Sequence, residues 1–318
     1  MREVIMKNNS STGDYLKIES INKEYKRGKV KANNNITTAF YPGQVAAVIG
    51  HNGAGKTTLL NQIVGVVKPD SGDIRYQEYS LVKDTKIARE LVSMMPQFHA
   101  PLNGVTIRQS VEAILRLRCI TGRQVKERTE KILSELDIKQ WANQVGNKLS
   151  GGLQRLTSFA MAVVAPTPII LLDEPTNDID PVRRKLVWNY MKKLARDGHI
   201  VIVVTHNLLE VELYADRFLL FNKGRLIKDA PTADLKQLAS NTLTVVVNDS
   251  SVMREFTPDA LESKYYDKEA KAVFALSSQQ VPAAICQMLK MIEEGKIVNY
   301  RLSPTSLDVS YGGMMDEE

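Results

Sequence analysis

The stretch GHNGAGKTT, residues 50–58, decides the fold class of this chain. It fits the spacing G-x-x-x-x-G-K-[ST], with Gly50, Gly55, Lys56 and Thr57 at the fixed positions. In such a loop, backbone N–H groups point inward around the α- and β-phosphates of a nucleotide. Side chains would block that approach, so glycine is the residue type that the loop requires.

The flanking sequence places this loop between a strand and a helix. Gln44–Gly50 is a short apolar run typical of a buried strand, and Thr57–Val67 has apolar residues at helical spacing. The helix N-terminus would add its dipole to phosphate binding. Lys56 is expected to reach the β- and γ-phosphates, and Thr57 to offer its hydroxyl to Mg²⁺.

Length and composition indicate a folded chain with one large or two domains. It has 318 residues, and 43% of them are hydrophobic. No apolar run approaches the ~20 residues of a membrane helix, and the polar start of the chain lacks a signal-peptide core. We therefore expect residues 1–14 to be flexible and the protein to stay in the cytoplasm. Cys119 and Cys286 are expected to be reduced packing residues.

Charge is unevenly spread along the chain. Residues 240–318 carry 7 Lys+Arg against 12 Asp+Glu, a net −5, so the rest holds 35 against 24, a net +11. This shift indicates a domain boundary near residue 240. The basic first part suits phosphate ligands or an anionic membrane face, although scattered solvated lysines and arginines explain it equally well.

The order of predicted elements indicates an α/β fold. Pro168–Pro175 and His199–Asn207 are short apolar strands with a helix between them, which favours a parallel sheet with right-handed crossovers. Residues from about 86 to 165 are predicted to be helical, because two stretches within them have apolar residues at three-to-four spacing. After residue 240, three short strands and one helix indicate a small α+β domain.

Polar residues at the ends of these strands supply the chemistry that phosphate hydrolysis needs. Asp173 ends a buried strand, where open α/β sheets bind ligands, and suits holding Mg²⁺ through a water. Glu174 follows and suits polarising the attacking water. His206, at the end of the next strand, can hydrogen-bond a γ-phosphate. Gln97 lies at a break between a strand and a helix.

A second anion-binding helix start occurs at LSGGLQ, residues 149–154. A serine and two glycines precede a helix, with Ser150 in the capping position. One nucleotide needs only one phosphate cradle. The second start is therefore predicted to serve the nucleotide of another molecule, in a head-to-tail dimer.

Together these motifs resemble the ATP-binding subunit of an ABC transporter, over about residues 15–235. The loop at 50–58 is similar to Walker A, LSGGLQ to the signature, and IILLDEP to Walker B with its catalytic glutamate. Gln97 resembles the Q-loop glutamine, Asp180 in NDIDP the D-loop aspartate, and His206 the switch histidine. Tyr25 is similar to the aromatic residue that stacks on adenine.

The resemblance implies a P-loop ATPase domain with a RecA-like core, a β-subdomain and a helical subdomain at about 86–165, followed by a C-terminal accessory domain at 240–318. It implies ATP and Mg²⁺ as cofactors, with Thr57, Gln97 and Asp173 at the metal. Glu174, His206 and Gln97 are expected in catalysis. The nucleotide contacts implied are Tyr25, Gly50, His51, Asn52, Gly53, Ala54, Gly55, Lys56, Thr57, Thr58, Ser150, Gly151, Gly152 and Asp180.

The resemblance also implies two partners, an integral membrane permease and a second ABC ATPase subunit, and no nucleic acid. A homodimer is favoured over a heterodimer, although Leu153 in the signature and Asp178–Ile179 in the D-loop depart from the usual residues. The protein would then lie on the cytoplasmic side of the cell membrane, peripheral through the permease.

The ending YRLSPTSLDVSY, Tyr300–Tyr311, resembles that of ABC-2 type exporter ATPases, but the final phenylalanine is absent. Three alternatives stay open. One is an importer ATPase with a regulatory C-terminal domain, the second is a C-terminal domain that only dimerises, and the last is an ABC ATPase that moves no solute. Members of that last group usually carry two cassettes or a long coiled coil.

Overall fold

The structure is a computed structural model that divides the chain into two compact units, Met1–Ala230 and Pro231–Glu318. The residues it describes are 14–25, 30–98, 103–235, 240–277 and 279–304. Most of the N-terminal segment that we predict to be flexible, and the chain end after Pro304, lie outside these residues. Within them, no helix is both long and apolar enough to cross a membrane.

A six-stranded sheet forms the centre of the first unit, in the order β10-β9-β3-β8-β7-β6. Strand β3 runs parallel to β8 and β9, and β7 runs parallel to β6 and β8. Every residue of β3, β7 and β8 is buried, as expected for strands covered on both faces. The bounds are β3 Val45–Ile49, β6 Val92–Met95, β7 Ile169–Asp173, β8 Ile200–Val204, β9 Arg217–Asn222 and β10 Arg225–Pro231.

A second, four-stranded sheet of the first unit has the order β2-β1-β4-β5, and its strands pair antiparallel. Its inward residues, such as Ile18 and Phe40, share one apolar core with the central sheet and with Leu59 of the helix after β3. This shared core fixes the small sheet beside the phosphate loop. The bounds are β1 Leu16–Tyr25, β2 Val30–Phe40, β4 Ser71–Tyr76 and β5 Tyr79–Ser80.

Five helices of the first unit begin at a residue whose side chain accepts a hydrogen bond from a backbone N–H of the first turn. These cap residues are Asp84, Thr106, Ser150, Asp180 and Asn207. The helices are α1 Lys56–Ile63, α2 Thr85–Leu91, α3 Ile107–Leu117, α4 Arg123–Glu135, α5 Gly151–Val163, α6 Pro181–Arg196 and α7 Leu208–Tyr214. All of them except α1 and α4 have such a cap.

Three sequence predictions about this unit are wrong in detail. Helix α1 ends at Ile63 rather than Val67, because Gly65 takes a left-handed φ of 77°. The stretch predicted as helical, at about 86–165, contains β6, which pairs with β7. Cys119, like Cys286 of the second unit, is exposed rather than packed.

The second unit is an antiparallel sheet with a helix, in the strand order β12-β13-β11-β14. Leu243 lies opposite Phe274 on one side and Leu302 on the other, so the three share a face. Leu243, Phe274 and Met288 of the helix lie in one core. The bounds are β11 Ser240–Val247, β12 Glu262–Tyr266, β13 Lys271–Ser277, α8 Val281–Glu293 and β14 Ile297–Pro304.

Candidate functional site

The phosphate loop connects β3 to α1 through a backbone that only glycine can follow. Gly55 takes a φ of 100°, and a Cβ atom there would collide with the carbonyl oxygen of Ala32. Gly50 is equally restricted, since a Cβ atom would collide with the carbonyl of Phe221. Gly53, with a φ of 83°, has no other atom within 4 Å of that position. The loop therefore packs against the rest of the protein at Gly50 and Gly55 and is open at Gly53, as a phosphate-binding loop requires.

Lys56 is buried, with 7% of its surface exposed. Its ammonium group donates hydrogen bonds to the carbonyl oxygens of Gly50 (2.7 Å) and His51 (2.9 Å). The two carbonyl dipoles compensate the buried positive charge and hold the ammonium group at the phosphate loop. His51 lies at the rim, with its Nε2 atom 3.0 Å from Oδ1 of Asn222.

The strand end that carries Asp173 meets the start of α1. The Thr57 hydroxyl donates to Oδ2 of Asp173 over 2.8 Å, and Asp173 is 1% exposed. Burial raises the pKa of the Asp173 carboxyl above its usual value, against the hydrogen bond from Thr57, and the neighbouring charge of Glu174 raises it further. A hydroxyl and a carboxylate fit Mg²⁺, which takes few protein ligands and keeps phosphate oxygens and waters for the others.

Glu174 faces His206 across the edge of the sheet. The Nδ1 atom of His206 lies 2.9 Å from Oε1 of Glu174. The second oxygen, Oε2, is buried and has no hydrogen-bond partner among the described residues. Glu174 also has a φ of 50°, a left-handed conformation that costs energy for a residue with a side chain. An unsatisfied acceptor on a strained residue is typical of a functional position.

Gln97 and Tyr25 lie at the margins of this cluster. The Gln97 carbonyl oxygen accepts from Nη1 of Arg155 over 2.6 Å, and its side chain is half-buried. Tyr25 is 39% exposed at the end of β1, where it pairs with Val30. The same β2 strand contacts the phosphate loop, because Nδ2 of Asn33 donates to the Gly55 carbonyl over 3.2 Å. The metal role of Gln97 and the adenine role of Tyr25 stay predictions.

A second cluster joins the start of α5 to the start of α6. Ser150 caps α5 by accepting from the Leu153 N–H, and a Cβ atom on Gly152 would lie 2.6 Å from the carbonyl oxygen of Asp178. Asp180 caps α6 and accepts from Nη1 of Arg183 over 3.0 Å. These residues line a groove of about 480 Å³. The groove leaves Ser150 and the α5 N-terminus accessible to an anion.

Two residues that support the site, Arg155 and Glu210, were not predicted from the sequence. Arg155 is buried on α5 and reaches the Gln97 carbonyl. Glu210 lies three residues after Asn207, and this N-x-x-E spacing at a helix start was a signal that could have found it. The contact of Asn222 with His51 had no such signal.

A buried parallel sheet, with a phosphate loop and two carboxylates at its carboxyl edge, defines a nucleoside-triphosphate-binding domain of the P-loop class. Residues 33–177 match the ABC transporter family. Among curated proteins, the chain is 30% identical to the mouse (Mus musculus) ABC-type organic anion transporter ABCA8B, over 92% of this chain and 19% of that protein. It is also 30% identical to human (Homo sapiens) ATP-binding cassette sub-family A member 10, over 92% and 20%.

The chain thus spans about a fifth of the length of these relatives. An alignment over 92% of 318 residues is longer than the 230-residue first unit, so it includes part of the second. Two solved structures of a dimeric bacterial ABC transporter cassette have TM-scores of 0.62, and each covers 68% of this chain and 98% of its own. They are 28% and 27% identical, and the second is a post-hydrolysis state bound to ADP and Pi.

The first unit is therefore an ATPase cassette of the ABC transporter family. A further solved structure, the ATP-binding subunit of an ABC transporter, agrees in fold with a TM-score of 0.64 at 21% identity, over 70% of this chain and 91% of its own. The predicted α/β P-loop fold class is confirmed.

Proposed function

We propose that the chain binds and hydrolyses ATP as one cassette of an ABC transporter, and that the energy drives a separate membrane permease. One observation supports the proposal that the chain hydrolyses ATP. Five residues from three distant segments, Lys56–Thr57, Asp173–Glu174 and His206, meet at the carboxyl edge of one sheet. Each has the chemistry that one part of phosphoryl transfer requires.

The phosphate loop and Lys56 position the nucleotide. The ammonium group of Lys56 would exchange its carbonyl partners for phosphate oxygens, a stronger charge-assisted contact. Thr57 and Asp173 would hold Mg²⁺, which neutralises phosphate charge when bound. The glycines of the loop keep side chains away from the phosphates. The phosphate oxygens of ATP can then bind at the N-terminus of α1.

Glu174 is proposed as the group that orients and deprotonates the attacking water. Its unpaired oxygen, Oε2, offers an acceptor, while Oε1 is fixed by His206. Water would donate a hydrogen bond to Oε2 and transfer its proton there as its oxygen bonds to the γ-phosphorus and the bond from that phosphorus to the β–γ bridging oxygen breaks, which releases ADP and phosphate. The side chain of His206 is 64% exposed, so its Nε2 atom would reach the γ-phosphate while its Nδ1 atom faces Glu174.

The signature cluster is proposed to complete the site of a second cassette. Ser150 and the first N–H groups of α5 face a groove of about 480 Å³, which would receive the γ-phosphate held by the partner's phosphate loop. The dimeric cassette structures at 27–28% identity support this arrangement. Two ATP molecules would then lie between two chains, in a homodimer rather than a heterodimer.

The membrane partner is proposed to contact the groove beside the Q-loop. This groove has a volume of about 760 Å³ and is lined in part by Arg89, Pro96, Leu117 and Arg118. Leu117 is 75% exposed and Phe98, beside Gln97, is 82% exposed, so apolar surface is available for a helix of the permease. The protein would lie on the cytoplasmic face of the membrane, bound through that permease.

Export of the ABC-2 type is the transport mode that we propose. Its support is the sub-family A relatives, of which the mouse protein is named an organic anion transporter. The alignment with that protein includes part of the second unit. The residues after Pro304 that carry the ABC-2-like ending lie outside the described part of the chain.

Glu174→Gln tests the proposal. The amide keeps the shape but cannot accept a proton, so we expect ATP affinity within threefold of the parent chain and turnover lower by about 10²–10⁴-fold. ATP should then hold the variant as a stable dimer in size-exclusion chromatography. Glu127→Gln, which changes an exposed glutamate on α4, is the control and should keep the parent rate. Turnover close to the parent rate in Glu174→Gln would remove the proposed base.

A further inference from the structure

A buried carboxylate on α7, Glu210, accepts bonds from four donors. Its Oε2 atom accepts from the Thr176 hydroxyl (2.7 Å) and from Nε1 of Trp188 (2.6 Å). Its Oε1 atom accepts from Nδ2 of Asn207 (2.8 Å) and pairs with Nη1 of Arg184 (3.0 Å). A carboxylate has about four lone-pair sites, so this one is saturated.

The donors come from segments that carry the site. Thr176 lies two residues after Glu174, and Asn207 directly follows His206. The second nitrogen of the Arg184 guanidinium, Nη2, donates to the carbonyl oxygen of Ile179 over 3.0 Å. Ile179 precedes Asp180, which lines the signature groove. Glu210 thus joins the segments of the hydrolytic pair, through Arg184, to the loop that carries Asp180.

Burial makes this junction rigid. Glu210 is 5% exposed, and a buried carboxylate is stable only while its hydrogen bonds are kept. The bonds to an ionised acceptor are charge-assisted and stronger than neutral ones. A movement of the segment after Glu174 would break the bond from Thr176 and leave a buried carboxylate oxygen with one donor fewer, so the joined segments are expected to move together.

We infer that Glu210 is a positioning residue that sets the Glu174–His206 geometry and couples it to the Asp180 loop. The inference rests on the proposed function, because it assigns Glu210 a part in the same hydrolysis. Glu210 would act through its contacts with Thr176 and Asn207 and not by contact with the nucleotide. Loss of its charge should therefore slow the chemical step and leave ATP binding nearly unchanged.

Glu210→Gln tests this role with little change of volume. Its amide nitrogen is a donor, so it would face Asn207 and Arg184, or Thr176 and Trp188, which are donors as well. We expect kcat for ATP to fall about ten- to a hundredfold, the range that small misplacements near the chemistry produce, while KM changes less than threefold. Glu127→Gln, the exposed glutamate on α4, is the control and should keep both constants.

A double-mutant cycle with Thr176→Val separates positioning from general destabilisation. If the two residues act together, the combined loss in kcat will be clearly smaller than the product of the single losses. If Glu210→Gln does not fold, Thr176→Val decides by itself, and a fall in kcat at constant KM is expected. An unchanged kcat in these variants, or independent effects in the cycle, would overturn the inference. A parent chain without ATPase activity would instead overturn the proposed function, and the inference with it.

Discussion

Among single residues, Lys56 shows how the fold holds a binding group ready. Its ammonium group is buried against the carbonyl oxygens of Gly50 and His51. Such a charge is retained in a folded interior only where partners compensate it. Those partners belong to the loop that would hold the phosphates, so ligand binding replaces contacts and does not require a new conformation of the loop.

Lys56→Ala should therefore weaken ATP binding strongly. Loss of a charge-assisted contact costs about 1.5–3 kcal/mol, which corresponds to a drop in affinity of roughly ten- to a hundredfold. Isothermal titration calorimetry with ATP and Mg²⁺ measures it. Lys68→Ala, an exposed lysine beyond α1, is the control and should bind like the parent. Equal affinities in the two variants would exclude Lys56 from the nucleotide site.

Asp173 gives a stability prediction with a defined sign. Burial raises the pKa of its carboxyl in the folded chain, so the folded state holds a proton more tightly than the unfolded state. The contribution of Asp173 to the free energy of unfolding is therefore greatest at acidic pH. It falls as the pH rises from the usual pKa of an aspartate through the raised pKa of the folded chain. At neutral pH the ionised carboxylate therefore destabilises the nucleotide-free chain.

Asp173→Asn should raise the melting temperature of the nucleotide-free chain at pH 7 by about 2 °C or more, since ~1 kcal/mol corresponds to ~2–4 °C at this size. Part of the decline in stability with rising pH should also disappear. Differential scanning calorimetry checks both, with the exposed Asp197→Asn as control. A lower melting temperature for Asp173→Asn alone would contradict the assignment.

At the scale of elements, the start of α5 packs tightly against the loop before α6. A Cβ atom on Gly152 would lie 2.6 Å from the Asp178 carbonyl oxygen, closer than real Cβ contacts, whereas one on Gly151 would meet Asp178 at an ordinary 3.9 Å. Glycine is therefore needed at the two adjacent positions for different reasons. Gly151 leaves the space beside the helix start open, and Gly152 permits the close approach of two backbones.

Gly152→Ala should accordingly lower the free energy of unfolding by about 1–3 kcal/mol, because the loop must shift to admit the methyl group. Gly151→Ala is the matched control and should change it by less than about 1 kcal/mol, helped by the higher helix propensity of alanine. Urea unfolding of the nucleotide-free variants gives both values. Similar effects at the two positions would show that the contact with Asp178 does not constrain α5.

The elements that the sequence predicted correctly share strong local signals. Strands β3, β7 and β8 are uniformly apolar, and α6 begins with proline and ends near Gly198. Strand β6 falls inside the stretch predicted as helical, and only the break at Gln97 indicated a strand before it, because four residues are too few for a distinct pattern and pairing with β7 defines the strand. Strand β12 is mostly exposed, so its sequence lacks the alternation that would indicate a strand.

The candidate site divides in the same way. Motif spacing was enough to predict which of Lys56, Asp173, Glu174 and His206 would meet, because parallel strands bring their carboxyl ends to one edge. It could not predict the left-handed backbone at Glu174 or the four donors around Glu210. Those depend on contacts between α6, α7 and the strand ends, which no local pattern encodes.

For the whole molecule, the apolar groove beside the Q-loop is proposed as the permease contact. Leu117→Glu adds a charge to its exposed rim, and we expect it to release the chain from membranes while the ATPase rate of the purified chain stays within twofold. Sedimentation of membranes from the native cell, followed by detection of the chain, measures this. Ile227→Glu, at a comparably exposed apolar residue of β10, is the control. Equal membrane retention of the two variants would place the contact elsewhere.

The central proposal is that each nucleotide pocket is shared by two chains, and mixing two inactive variants tests it most directly. Lys56→Ala removes the phosphate loop of one chain, and Ser150→Phe blocks the signature of the other. In a mixture of equal amounts, about half of the dimers are mixed, and each has one intact pocket. We expect both variants to be inactive alone and the mixture to recover about a quarter of the parent ATPase rate. A mixture as inactive as its components, or full activity of Ser150→Phe alone, would contradict the shared pocket.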